Sequence, residues 1–196
     1  MQNKQARNQI IELNPSNKNL TNTQQFVRKD LPKYWEKQFI NETLNNIKDH
    51  NNSMLCRFLW MTGVRITEAI SVKKKDIDFR HYAITIRWLK SRKYNERNIP
   101  IHPNLRNILQ IYTAAMNLED KLFPISRQRA WQIIQKEFNG HPHQFRHSFA
   151  VNWLRCGGNI VDLHTILGHS RIQTTLEYTK LVPTDLGKEL QKISFE

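Results

Sequence analysis

Between His141 and Lys180 the chain reads HPHQFRHSFAVNWLRCGGNIVDLHTILGHSRIQTTLEYTK, and four side chains in it can do chemistry together. They are the imidazoles of His143 and His169, the guanidinium of Arg146 and the phenol of Tyr178. A guanidinium forks onto two phosphate oxygens and stays charged at any working pH. An imidazole hydrogen-bonds a phosphate or moves protons near neutrality. A phenol can attack phosphorus and form a covalent ester. Such a set suits the breakage of a phosphodiester. No glycine-rich phosphate loop accompanies it, so nothing points to ATP, and no cofactor is expected.

These groups need short elements to position them. His143 and Arg146 are three apart, so a helix beginning near Pro142 projects them from neighbouring positions. Phe149, Ala150, Trp153 and Leu154 give that helix a buried stripe, and Gly157-Gly158 stops it. Asn159 is an N-cap for a second helix over 160–167, with Val161, Leu163, Ile166 and Leu167 as its apolar set. Gly168 ends it and delivers His169 into a turn. Ser170 is the expected cap of a third helix carrying Tyr178, with Leu176 and Leu181 nearby. His143 and His147 are four apart, a zinc-compatible offset. With neither an HExxH glutamate nor a cysteine cluster, no metal site is expected, and His147 and His164 read as structural.

The spelling HPHQFRHSFA, then LGHS, then EYTK resembles the active-site half of the tyrosine recombinases, the phage integrase family. The resemblance implies a mainly α-helical α+β catalytic domain with a small antiparallel sheet of about three strands. It also implies cleavage and rejoining of double-stranded DNA through a 3′-phosphotyrosyl ester, by a homo-oligomer, a tetramer on paired sites. Tyr178 would be the nucleophile, Arg146 one of two arginines that clamp the phosphate, His143 an acid–base or phosphate ligand, and His169 a donor to a non-bridging oxygen. Two other classes share parts of this set. A type IB topoisomerase forms the same ester but only relaxes DNA, and a non-catalytic regulator would use the same basic surface and keep these residues idle.

Composition agrees with a nucleic-acid partner. The 196 residues carry 30 Lys and Arg against 17 Asp and Glu, a formal charge of +13, which favours a polyanion. No basic amphipathic helix with a clean apolar face argues for a membrane surface, and no apolar run approaches a membrane span. Cys56 and Cys156 both sit in apolar helical runs and read as buried free thiols of a reducing cytoplasm, with the nucleoid as the expected location.

Upstream, residues 1–31 are rich in Asn, Gln and Lys and read as a basic arm. A catalytic domain with a C-terminal tail then occupies 32–196. Lys33–His50 has a helical stripe of Trp35, Phe39, Ile40, Leu44 and Ile47. Asn51, Asn52 and Ser53 read as a break before the dense apolar run from Met54 to Met61, which ends at Gly63. Arg65, in TGVRITEA, opens the next helix, where the macrodipole disfavours a cation. Such a local conflict is expected at functional sites. The family's first catalytic arginine lies in a similar stretch, which carries that role to Arg65, with Glu68 as its orienting partner.

From Ile77 the period becomes two. Ala83–Trp88 and Arg97–Ile101 read as paired strands, Ile77–Phe79 as a third, and KSRKYNE as a basic loop between the pair. The family places on such a hairpin a lysine that protonates the departing 5′ oxygen, and here Lys90 is the choice, with Lys93 the alternative. Asn104–Met116 is a helix with Leu105, Ile108, Leu109, Tyr112 and Ala115 inward. A second follows Ser126, with Trp131, Ile134 and Phe138 inward, Arg127 and Arg129 available to phosphates, and Gly140 closing it. The tail carries an amphipathic run, Leu186, Leu190 and Ile193. The resemblance covers 33–182 alone. Most members add an N-terminal helical DNA-binding domain for which this pattern leaves no room, as in short members that invert small promoter segments, or in an excised fragment or a decayed element.

Overall fold

A computed structural model of the chain describes residues 31–90 and 93–182, the side chains of 89, 90, 93 and 94 excepted. The basic arm, but for its last residue, and the tail with Leu186, Leu190 and Ile193 lie outside these residues. The described elements are helices α1 (Lys37–Asn46) and α2 (His50–Thr62), the short α3 (Ile66–Ala69), strands β1 (Ile77–Asp78), β2 (Ala83–Lys90) and β3 (Lys93–Pro100), and then α4 (Pro103–Tyr112), α5 (Arg127–Phe138), α6 (Pro142–Arg155), α7 (Ile160–Leu167) and α8 (Ile172–Leu176). A 3-10 turn, Glu177–Leu181, follows and holds Tyr178. The mainly helical α+β class with a three-stranded antiparallel sheet, in the order β1-β2-β3, is the one the sequence implied.

Several boundaries move for identifiable reasons. Asn51, Asn52 and Ser53 do not break a helix. They form the exposed first turn of α2, which Asp49 caps by accepting from the Asn52 N–H at 2.8 Å. KSRKYNE is mostly strand, because β2 runs to Lys90 and β3 starts at Lys93. Its polar residues hide the period-two signal from the sequence. Helix α4 stops at Tyr112, leaving Ala115 exposed beyond it. Asn139, at φ +49°, ends α5 in place of Gly140. Gly140 is required for space instead, since a Cβ there would lie 2.5 Å from the Trp35 indole. Ser170 does not cap α8, whose N-cap position is held by Arg171. Trp131 and Val161, expected inside, are 40% and 60% exposed, and Cys156 is exposed while Cys56 is buried.

One aromatic cluster ties the segment before α1 and the end of α5 to α6. Trp35, Phe138 and Phe145 meet with ring centroids 4.7–5.1 Å apart, at the tilted and edge-on angles that such rings favour. The Trp35 N–H also donates to Ser148 Oγ on α6 at 2.8 Å. A second, smaller core joins Ala150 and Val151 of α6, Leu163 and Leu167 of α7, and the ring of Tyr178. No helix among the described residues is long and apolar enough to cross a membrane.

The hinge between α2 and α3 is Gly63, in the left-handed region at φ +64°. A Cβ there would come within 2.5 Å of the Phe149 ring on α6. Gly63→Ala is therefore expected to lower stability by about 1–3 kcal/mol, read from the urea midpoint, because it adds left-handed strain to a steric clash. Gly157→Ala, also left-handed but in open space, tests the strain alone and should cost less.

Candidate functional site

Arg146 lies on α6 with its side chain buried, only 3% exposed. One terminal nitrogen donates to the Gly63 carbonyl at 2.9 Å and the other to the Leu167 carbonyl at 2.7 Å. Leu167 ends α7, where main-chain carbonyls lack helical partners and the helix dipole favours a cation. The chain reversals at Gly63 and Gly168 thus bring two carbonyls to one guanidinium. Burial, with Arg65 adding to it, lowers the Arg146 pKa to about 10, so the group stays charged at neutral pH.

Arg65 occupies the N-cap position of α3 in extended backbone. The conflict of a cation at a helix start is relieved by Glu68. Its carboxylate accepts from the Arg65 main-chain N–H at 2.7 Å and from the Arg65 guanidinium at 3.1 Å. Glu68 is itself buried, and a second guanidinium, from Arg97 on β3, forks onto both its oxygens at 3.0 and 2.9 Å. Burial alone would raise the Glu68 pKa, but Arg97 and then Arg65 outweigh it and hold the carboxyl below its ordinary value. Arg97 also donates its Nε–H to the Ile166 carbonyl at 2.8 Å and lies over the Trp88 ring. Two guanidinium groups therefore share one carboxylate and Arg146 lies on carbonyls nearby, leaving a surplus of positive charge suited to an anion.

His143, His147 and His169 stand beside this charge, which adds to burial in disfavouring their protonated forms. Burial first, then Arg146 and Arg65, push His169 down to about 3. Burial, with His143 and Arg146, pushes His147 down to about 4. His143 is lowered by its partial enclosure and by Arg146, Arg65 and Arg127, although its side chain is exposed by area. Tyr178 is 2% exposed, with its ring stacked beside His169 at 6.4 Å and its hydroxyl 2.8 Å from His147 Nδ1. Burial raises the Tyr178 pKa, and Arg146 and Arg65 offset only part of that. The phenol is thus protonated in the free protein.

Of the residues expected from sequence, Arg65, His143, Arg146, His169 and Tyr178 converge here. Lys90 pairs with Lys93 as the last described backbone pair of the β2–β3 hairpin, and the side chains of both lie outside what the structure describes. His147, expected to be structural, instead meets the Tyr178 hydroxyl. Arg97 was missed, yet strand parity carries its signal. It lies opposite buried Ile86 and two residues before buried Ile99, so it faces inward on a strand where a charge must be paired. Thr175, fully buried, contacts both His169 and His164 and had no sequence signal beyond its place near Tyr178.

Comparison with known proteins places the family and the fold. The sequence pattern described as Phage integrase family matches residues 31–184. Tyrosine recombinase XerA of Saccharolobus solfataricus is 32% identical over 178 residues, covering 85% of this chain and 60% of that protein. Tyrosine recombinase XerA of Pyrococcus horikoshii is 27% identical over 184 residues, covering 85% of this chain and 63% of the relative. The chain thus spans about three-fifths of the length of these relatives. In fold it is similar to the crystal structure of XerA recombinase, with a TM-score of 0.64 and 23% identity over 86% of this chain and 66% of that one. It is equally similar to the catalytic domain of bacteriophage HP1 integrase, with a TM-score of 0.64 and 23% identity over 81% of this chain and 94% of that one.

Two outcomes follow from the charge network. Arg97→Ala removes the partner of a buried carboxylate and is expected to destabilise by about 3–5 kcal/mol in urea unfolding. Arg97→Lys should restore little, since one ammonium cannot fork onto Glu68 while also reaching Ile166. The imidazoles supply the pH dependence. Their folded pKa values lie below the ordinary value, so the stability is fully present above about pH 6.5 and is lost as pH falls toward 4. At pH 5 the loss should be on the order of 1–2 kcal/mol for each of His147 and His169, and His147→Phe should remove its share of the slope.

Proposed function

The chain belongs to the phage integrase family, and from that membership we propose that it is a site-specific DNA recombinase acting through a 3′-phosphotyrosyl ester. The observation that carries the proposal is the Tyr178 hydroxyl, held against an unprotonated imidazole beside two guanidinium groups. Arg65 and Arg146 clamp the scissile phosphate and offset the charge that builds on its oxygens. His143 and His169 complete the phosphate contacts.

The Tyr178 oxygen attacks phosphorus as its proton passes to His147 Nδ1. The bond from phosphorus to the 5′ oxygen breaks, and Lys90 protonates that oxygen as it leaves. Attack by the 5′-hydroxyl of another strand reverses these steps, so the ester's own energy drives rejoining and no cofactor takes part. Buried Tyr178 explains why a base is needed. With its pKa raised, the phenol cannot ionise on the strength of the arginines alone. Tyr178 lies beside arginines of its own chain, which favours cleavage by each protomer's own tyrosine. Two duplexes must each be cut and exchanged, for which we propose a tetramer on paired sites. The crystal structure of XerH site-specific recombinase shows that protein bound to its difH substrate in a pre-cleavage complex.

The test is a covalent trap. The full chain is mixed with nicked duplexes tiled across the DNA flanking its gene and run on a denaturing gel. A slow band that vanishes in Tyr178→Phe, while native-gel binding changes less than about twofold, is the expected result; a band that persists in Tyr178→Phe assigns the ester elsewhere. Arg146→Ala should lower ester formation by about 100-fold or more. Binding should weaken linearly in log–log form with salt, as released counterions require.

A further inference from the structure

The buried hydroxyl of Thr175 lies between two imidazoles that no carboxylate orients among the described contacts. Its Oγ1 is 2.8 Å from His169 Nδ1 and 3.1 Å from His164 Nδ1. Thr175 lies on α8, His164 on α7, and His169 in the turn between them. The hydroxyl has one proton to donate, and Thr175 is fully buried, so solvent does not complete its bonds. A neutral imidazole in turn carries its proton on one nitrogen or the other.

Two arrangements satisfy both contacts and also use the hydroxyl's own proton, which would be stranded if both imidazoles donated to it. In the first, Thr175 donates to His169 Nδ1, the His169 proton sits on Nε2, and His164 Nδ1–H donates to the hydroxyl oxygen. In the second every direction is reversed, His169 carries its proton on Nδ1, and its Nε2 presents a lone pair. From this geometry we infer that Thr175 and His164 are positioning residues, which tie the tautomer of His169 to that of His164 and so decide whether His169 Nε2 can donate. The inference rests on the reading of His169 as a phosphate donor. His169 is neutral in the free protein, so an arriving phosphate oxygen first meets either an N–H or a lone pair at Nε2. An anionic oxygen there selects the first arrangement, because a facing lone pair repels it. The switch then moves His164, Thr175 and His169 together, with no heavy atom displaced.

Histidine tautomers are read by nitrogen-15 correlation spectra of the full chain at about pH 8, above the ordinary imidazole pKa. The His164 and His169 signals are assigned by their loss in single Asn substitutions. Opposite tautomers at the two positions are expected in the free protein, and in Thr175→Ser. In Thr175→Val, and in His164→Phe, His169 should lose its link and shift its tautomer balance. Like tautomers in the unmodified chain, or a His169 signal unmoved by Thr175→Val and His164→Phe, overturn the inference. The second measurement is ester formation on the nicked duplex. Thr175→Val should slow it about 10- to 100-fold at unchanged DNA binding, and Thr175→Ser should restore it. An equal loss in Thr175→Ser and Thr175→Val, or no loss in either, counts against the inference. If no duplex gives an ester even with the unmodified chain, the recombinase reading fails, while the spectra still decide the tautomer coupling.

Discussion

The last turn of α7 holds this site together. Its carbonyls at Ile166 and Leu167 have no partners within the helix, and two guanidinium groups from distant parts of the chain fill them. Arg97 arrives from the sheet and Arg146 from α6, so one helix end joins β3, α6 and, through Gly63, the end of α2. Burying two cations is unfavourable in itself. The helix dipole, the carbonyls and the Glu68 carboxylate offset that cost together, and Glu68 in turn fixes Arg65. The Gly168 turn completes the joint, since a Cβ there would press on the Arg97 guanidinium at 3.0 Å. His169 follows directly, so the same turn that receives the arginines aims the imidazole.

Burial and that density of positive charge together set the protonation of the groups beside it. Burial first, then the neighbouring charges, keeps His147 and His169 neutral far below the ordinary imidazole pKa. Tyr178 shows the opposite balance. Two arginines pull its pKa down, but an almost fully buried ring pushes it up by more. Proximity of cations therefore does not suffice to ionise the phenol, and its contact with a neutral His147 becomes the feature through which the proton can leave. A site arranged this way stores a protonated phenol in an apolar setting and a neutral acceptor on its hydroxyl. Its cationic surplus remains for an anion.

Local signals placed most of the frame. Proline at the start of α6, Asn159 before α7, and glycines after α2 and α7 mark element ends through backbone rules that need no tertiary partner. The alternation over Ala83–Trp88 marks a strand because one face is buried. Where a polar segment is nonetheless ordered, as in the first turn of α2 or the outer half of the hairpin, the apolar period is absent and the sequence reads as loop. Trp131 and Val161 fail in the other direction. Apolar residues at helical spacing predict a buried face, but which residues at its margin are covered depends on neighbouring elements.

The sequence by itself determined the chemistry available, because the spacing of His143, Arg146, His169 and Tyr178 along short helices and turns is a local property. It also determined that Arg65 stands at a helix start with Glu68 one turn away. Only the tertiary structure decided how that chemistry is tuned. Arg97 meets Glu68 across 29 residues, Arg146 meets Gly63 across 83, and His147 meets Tyr178 across 31. Protonation states follow from these meetings, since burial and neighbouring charge are properties of the packed molecule. The same holds for Thr175, an unremarkable residue in the chain whose single hydroxyl proton matters only because folding sets it between two imidazoles.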